Sequence, residues 1–277
     1  MKFKKKNFLL IGFQIASLRN LKDALQYFYG YTKIISPKKL ISFKKARLNK
    51  YVSNLLKKNK EIKNSNIIVG TSENPFESIV SNYLQKNNID YYSFLDSNVN
   101  MKIRYNNYEK LPKNILTLNS IVANEFKKTI NVKSKLRIID LKMPYQKYLK
   151  EKYYKKFRNN KIIVYLTNDI GVKYEKKYVL SLLKKYNDKK VYVCVHPREK
   201  LNEWKKLFYQ FKNLNFFQNK HFYNNLNVKN IFGISTLGLI NYKFVGCNVN
   251  YFHHEVMKNN PIKKFFKKYK IKQINYE

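Results

Sequence analysis

The run "KKVYVCVHPREK" (residues 189–200) carries a hydrophobic stretch straight into an imidazole, His196, followed by Pro197 and Arg198. An imidazole near its neutral range can donate to a phosphate oxygen or hand a proton to a leaving group. The proline fixes the backbone behind it, and the guanidinium adds a cation. A second run, "NIFGISTLGLI" (230–240), ends in the hydroxyls of Ser235 and Thr236, with Gly233 and Gly238 leaving room for close approach. Hydroxyls beside the first amides of a helix make a ready anion cradle. A third apolar run, "IDYYSFL" (89–95), stops at Asp96, a carboxylate that could act as general base on an acceptor hydroxyl.

Each residue has a plainer explanation beside the chemical one. A lone strand-end histidine is more often a backbone cap than a catalyst, a Ser-Thr pair more often caps its own helix, and a loop aspartate is often only solvated. The pairing of an imidazole run with a hydroxyl run in the same half of the chain tips the balance toward a ligand. No GK[ST] follows the glycines, which removes Walker-type nucleotide hydrolysis. Asn168-Asp169 with Gly171 reads as a chain turn, and Glu73 as a carboxylate favoured near a helix start. Trp204 reads as helix packing. His221, His253 and His254 share no ligand spacing with each other or with Cys194 and Cys247, so no metal is expected and both thiols are expected to be free.

The elements that must position these residues alternate in type. Apolar runs at 8–13, 32–36, 66–70, 89–95, 115–118 and 135–140 are separated by helical stretches such as 17–30 and 42–58. After a charged stretch, 142–160, the alternation resumes at 161–166, 190–195, 215–217, 230–234 and 247–252. Short runs that are apolar throughout, joined by helices, predict parallel sheets covered on both faces. The expected architecture is α/β, with two Rossmann-like domains and a basic amphipathic helix at the C-terminal end. The boundaries are a first Rossmann-like domain at 1–141, a helical connector at 142–160, a second Rossmann-like domain at 161–260 and a basic helix or tail at 261–277. In such sheets ligands sit beyond the carboxyl ends of the strands, which is where Thr71-Ser72, Asp96, Asn168-Asp169, His196 and Ser235-Thr236 fall.

At 277 residues, with 44% hydrophobic and 16% aromatic content, the chain can bury substantial cores and is not a disordered tail. Its formal net charge of +40 invites a nucleic-acid partner. Yet among the 57 basic residues arginine stands only at 19, 47, 104, 137, 158 and 198. Lysine is a point charge, poorly suited to reading base edges, and no helix-turn-helix, zinc-finger or RNP pattern is present. The opening "MKFKKKNFLLIGF" is too short in its apolar part for a membrane span and reads as a first buried strand. In "PIKKFFKKYKIK", Ile262, Phe265, Phe266 and Tyr269 make an apolar stripe between lysines. That stripe suits an anionic membrane surface or a C-terminal helix docked on the first domain equally well.

"VHPRE", "GISTLG" and the acidic strand end of the first half together resemble bacterial sialyltransferases and polysialyltransferases, within the GT-B type of capsule and lipooligosaccharide glycosyltransferases. The resemblance implies a CMP-linked donor in the second domain, held by Pro197, Arg198, Gly233, Ser235 and Thr236. It further implies His196 as donor-phosphate contact and acid, Asp96 as base, inversion of configuration, and no metal or cofactor. On this reading the protein is a cytoplasmic glycosyltransferase of surface-polysaccharide assembly with a glycan or glycolipid acceptor and a peripheral contact with the inner membrane. Three alternatives stand beside it. The first is an enzyme of the same architecture using a UDP-sugar or CDP-glycerol, or an epimerase. The second is a non-enzymatic basic nucleic-acid-binding α/β protein, and the third an inactive relative that scaffolds other enzymes.

Overall fold

The computed structural model describes residues 3, 6–13, 15–37, 45–96, 100–130, 136–155, 158–218, 227–258 and 260–276. The first residues of the expected 42–58 helix, the residues just after Asp96, and His221 lie outside them. The chain divides into two compact units, residues 1–148 and 149–277.

In the first unit the order is β1 (Phe8–Ile11), α1 (Ile15–Tyr29), β2 (Thr32–Ile35), α2 (Lys45–Lys58), β3 (Asn66–Gly70) and α3 (Pro75–Lys86). There follow β4 (Tyr91–Leu95), the short α4 (Met101–Tyr105), β5 (Asn114–Thr117), α5 (Ser120–Thr129) and β6 (Arg137–Asp140). The boundary between units falls inside α6 (Pro144–Tyr153). The second unit contains β7 (Asn159–Leu166), α7 (Val172–Lys185), β8 (Lys190–Cys194), α8 (Leu201–Leu207), β9 (Leu214–Phe217) and β10 (Val228–Gly233). It closes with α9 (Gly238–Phe244), β11 (Asn248–Phe252), α10 (Ile262–Lys268) and β12 (Lys272–Ile274).

Both sheets are six-stranded, in the orders β2-β1-β3-β4-β5-β6 and β12-β11-β10-β7-β8-β9, and every pairing is parallel. The expected α/β architecture with two parallel sheets is therefore what the chain adopts. The all-apolar strands explain it: Phe8, Leu9, Leu10 and Ile11 are wholly buried, which requires cover on both faces of the sheet. In the second unit Trp204 packs parallel to Phe208 at 6.0 Å between ring centres, the core role its helix predicts.

The C-terminal stripe settles inward. Ile262, Phe265 and Phe266 are buried, Phe266 packs on Tyr251 at 4.8 Å, and Tyr269 on Phe244 at 5.4 Å. The apolar face of α10 thus belongs to the second unit's core and is not available to a bilayer. Beyond it Lys270 turns with φ 51° and β12 adds the outermost strand, an element absent from the sequence reading. Among the described residues no helix is long and apolar enough to cross a membrane.

Two helix starts in the first unit, those of α3 and α5, are capped by asparagines. Asn74 accepts the Phe76 N–H ahead of Pro75, and Asn119 accepts from Ile121 and Val122 at 2.8 and 3.1 Å. Asn119 is buried, so its carbonyl oxygen satisfies amides that water cannot reach. Asn119→Ala is expected to lower stability by about 1 kcal/mol, read as a lower urea midpoint at unchanged slope. An unmoved midpoint would show that water satisfies those amides instead.

Candidate functional site

Parallel pairing places three strand ends of the second unit at one level. Leu166 of β7 pairs with Cys194 of β8 and with Gly233 of β10. Two residues beyond this level stand Asn168, His196 and Ser235, so the register itself brings them to one edge. The chain runs from β7 outward through β8 and β9, then returns to the other side of β7 as β10. The gap between β7 and β10 is therefore the topological switch point where open α/β sheets bind ligands.

Asn168 bridges that gap. Its side-chain amide donates to Ser235 Oγ, while its carbonyl oxygen accepts the Ser235 N–H at 3.2 Å. Gly233 is needed for the approach: a Cβ there would stand 3.0 Å from the Leu166 carbonyl oxygen. Thr236 Oγ1 accepts the Gly238 N–H at 3.1 Å, so this hydroxyl caps the turn into α9 and keeps its own proton to donate outward.

The β8 end is held from both sides. Thr167 Oγ1 accepts the His196 N–H at 2.7 Å and donates to one oxygen of Glu199. The other Glu199 oxygen accepts the Gly171 N–H at 3.2 Å. Gln218 donates to the carbonyls of His196 and Glu199, at 3.2 and 2.7 Å. Pro197 occupies the exposed turn that the Glu199 N–H closes on His196 O at 2.9 Å, where a residue without an N–H leaves no donor unpaired. His196 Nδ1 takes the Arg198 N–H at 3.3 Å and lies 3.8 Å from Asp169 Oδ1. With Nδ1 accepting, the neutral ring carries its proton on Nε2.

Beneath the loop lies Glu175, fully buried in the first turn of α7. It takes Tyr165 OH at 2.6 Å and the Asn168 N–H at 2.8 Å. Burial pushes its carboxyl up to about 8, against the pull of hydrogen bonds from Tyr165, Asn168 and Ile170; the nearby Glu199 adds to the rise. The loop that carries Asn168 is thus tied to the core through a buried carboxyl group.

The predicted residues of the second half, His196, Pro197, Arg198, Gly233, Ser235 and Thr236, share this strand-end edge. Asp96 belongs to the first unit. There Arg104 Nη1 pairs with its Oδ1 at 2.7 Å and also donates to Thr71 O at 3.0 Å. The base expected at Asp96 is therefore engaged by a guanidinium that staples the ends of β3 and β4. Glu77 plays a comparable part at the same carboxyl-end edge, linking the ends of β3 and β1 by accepting Ser72 Oγ–H and the Phe13 N–H, each at 2.7 Å. Asn168, Asp169, Glu175 and Glu199 are the residues the sequence reading undervalued; counting two places past paired strand residues would have found Asn168. Among the described residues no group of three or more His, Cys, Asp or Glu is placed to hold a metal ion.

No family model matches the chain, and none of the curated proteins matches it. Solved structures do share its fold. The UDP-GlcNAc 2-epimerase of Methanocaldococcus jannaschii, in complex with UDP-GlcNAc and UDP, superposes with a TM-score of 0.58 at 12% identity over 97% of this chain and 88% of its own. MnaA of S. aureus, a co-structure with UDP, gives 0.57 at 12% identity over 90% and 79%. The UDP-GlcNAc 2-epimerase of Neisseria meningitidis bound to UDP-GlcNAc gives 0.55 at 12% identity over 84% and 78%. The two Rossmann-like units therefore form a GT-B-like fold. The resemblance to sialyltransferases is not sustained: the structural neighbours are epimerases of UDP-GlcNAc. The register of the fold accounts for the strand-end position of the His-Pro and Ser-Thr pairs, and position alone does not single out that family.

The buried Glu175 generates a measurable sign. A carboxyl whose folded value lies above its unfolded one binds a proton more readily when folded, so the stability it lends is present at low pH and lost as pH rises toward about 8. Between pH 5.5 and 8 the wild type is expected to lose up to about 3 kcal/mol relative to Glu175→Gln. In that variant Tyr165 OH can turn to accept. Parallel denaturation curves for the two proteins across this range would refute the buried-acid assignment.

Proposed function

We propose that the chain acts on a UDP-linked sugar, with epimerisation at the sugar as the reaction class, and that the second unit grips the nucleotide's phosphates at the ends of β7, β8 and β10. The observation that supports this reading is the levelled triple of strand ends: the register brings the ends of β7, β8 and β10 to one height, with Ser235 and Thr236 beside the switch point and His196 and Arg198 across β7 from it. The fold shared with proteins solved in complex with UDP or UDP-GlcNAc supports it.

In this reading His196 donates through Nε2 to a phosphate oxygen, and Arg198 supplies the positive charge. Ser235 and Thr236 each donate a hydroxyl proton. Gly233 keeps the floor low enough for the phosphate to reach them, and Pro197 fixes the turn that aims the imidazole. No metal is needed for this grip, since the charge is met by protein donors. Asp96 remains the acidic candidate of the first unit, oriented by Arg104.

The test is a thermal-shift panel of UDP, UDP-GlcNAc, CMP and CDP against the full chain. Saturating UDP ligands at about a hundred times their dissociation constant should raise the melting temperature by about 5 °C or more. Incubation with UDP-GlcNAc followed by NMR reads epimerisation directly. His196→Ala should weaken UDP binding about ten- to a hundredfold while leaving the melting temperature of the free protein within a few degrees. Stabilisation by CMP alone would change the donor class, and an unshifted protein across the panel would end the nucleotide reading.

A further inference from the structure

The guanidinium read as a phosphate contact in the second unit already faces an acid. Asp169 Oδ2 pairs with Arg198 Nη2 at 2.7 Å, and its other oxygen lies 3.8 Å from His196 Nδ1. A carboxylate thus faces the cation and the imidazole of a site read as taking an anion. Asp169 holds this position in the left-handed region, φ 64°, which aspartate and asparagine tolerate better than most residues.

A loop-fixing role does not account for the pair. The residues around Asp169 are already secured: Asn168 by Ser235 and Glu175, and Gly171 by Glu199. Nor is the pair deeply buried. Arg198 is 75% exposed in its side chain and Asp169 24%, so the guanidinium can swing away without leaving a charge stranded in the core. What the carboxylate does is occupy donors.

We propose that Asp169 is a tethered anion: it occupies Arg198 beside the imidazole of His196 when the site is empty and must be displaced by the ligand's phosphate. This rests on the strand-end site of the proposed function and adds that Asp169 opposes binding there. The consequence is selectivity by charge. A ligand must bring enough negative charge to outcompete a carboxylate that is already in place, which favours a diphosphate over a monophosphate or an uncharged sugar.

The experiment uses calorimetric titration of the full chain with inorganic diphosphate, inorganic phosphate and UDP, for wild type and Asp169→Asn. Asparagine suits the left-handed backbone and keeps the side chain's shape, so the variant should fold; Asp169→Gly is the second variant if it does not. Removing one like charge at contact range should tighten diphosphate binding about tenfold. The gain should shrink in high salt, which a purely structural effect would not do. In an Arg198→Gln background most of the gain should vanish, as a double-mutant cycle would show.

Unchanged or weaker diphosphate binding in both Asp169 variants would overturn the tether and make Asp169 a neutral or supporting contact. If diphosphate separates the two proteins while UDP binds neither, the nucleotide reading fails and the tether stands. If neither anion binds either protein, both fall.

Discussion

Asn168 and Ser235 exchange hydrogen bonds in both directions across the place where the second sheet reverses its order. The two loops there come from strands that are neighbours in space but separated by most of the unit in sequence, and each would otherwise leave polar groups half-satisfied at the sheet edge. The exchange is possible only because Gly233 lets β10 end close against Leu166. It is useful only because the same register lifts His196 to the same height on the far side of β7. Everything read as ligand chemistry in this unit depends on that shared level.

The support under this edge is acidic, which is unexpected in a chain with 57 basic and 17 acidic residues. Glu175 ties the β7 loop to the core and Glu199 ties it to the β8 loop. A carboxylate accepts several backbone N–H groups at once, which a lysine cannot do, since an ammonium only donates. Two of the scarce acids therefore stand where the backbone turns sharply and its amides face inward. The abundant lysines, carried on exposed helix faces, are not interchangeable with them.

Much of the architecture was legible in the sequence because parallel strands buried on both faces must be apolar throughout. FLLI, NIIVG and KVYVC could hardly be anything else between helical stretches. The strand-end residues His196, Ser235 and Thr236 were legible for the same reason, since an apolar run that stops at a polar residue marks where the strand meets solvent. Asn168 was read as a turn because turn chemistry and ligand-loop chemistry use the same residues, and only the pairing register distinguishes them. Asp96 was read as a free base because nothing in "YYSFLD" shows that Arg104, eight residues on, folds back onto it. The stripe of α10 left two readings open in sequence, since an amphipathic helix has the same pattern whether lipid or a protein core covers it. Its family likeness misled for a related reason: short motifs at strand ends reflect the fold's geometry as much as any one chemistry.

Each sheet closes with a very short strand at its margins: β2, β6 and β9 have four residues and β12 has three. An unpaired strand margin offers its free amides and carbonyls to any other chain that can lie alongside. Here the offer is brief, and Lys33, Arg137 and Lys272 stand exposed on these margins. A second chain adding itself there would gain only a few backbone bonds while bringing like charges together. Basic residues on the sheet margins thereby work against self-association into extended β-stacks.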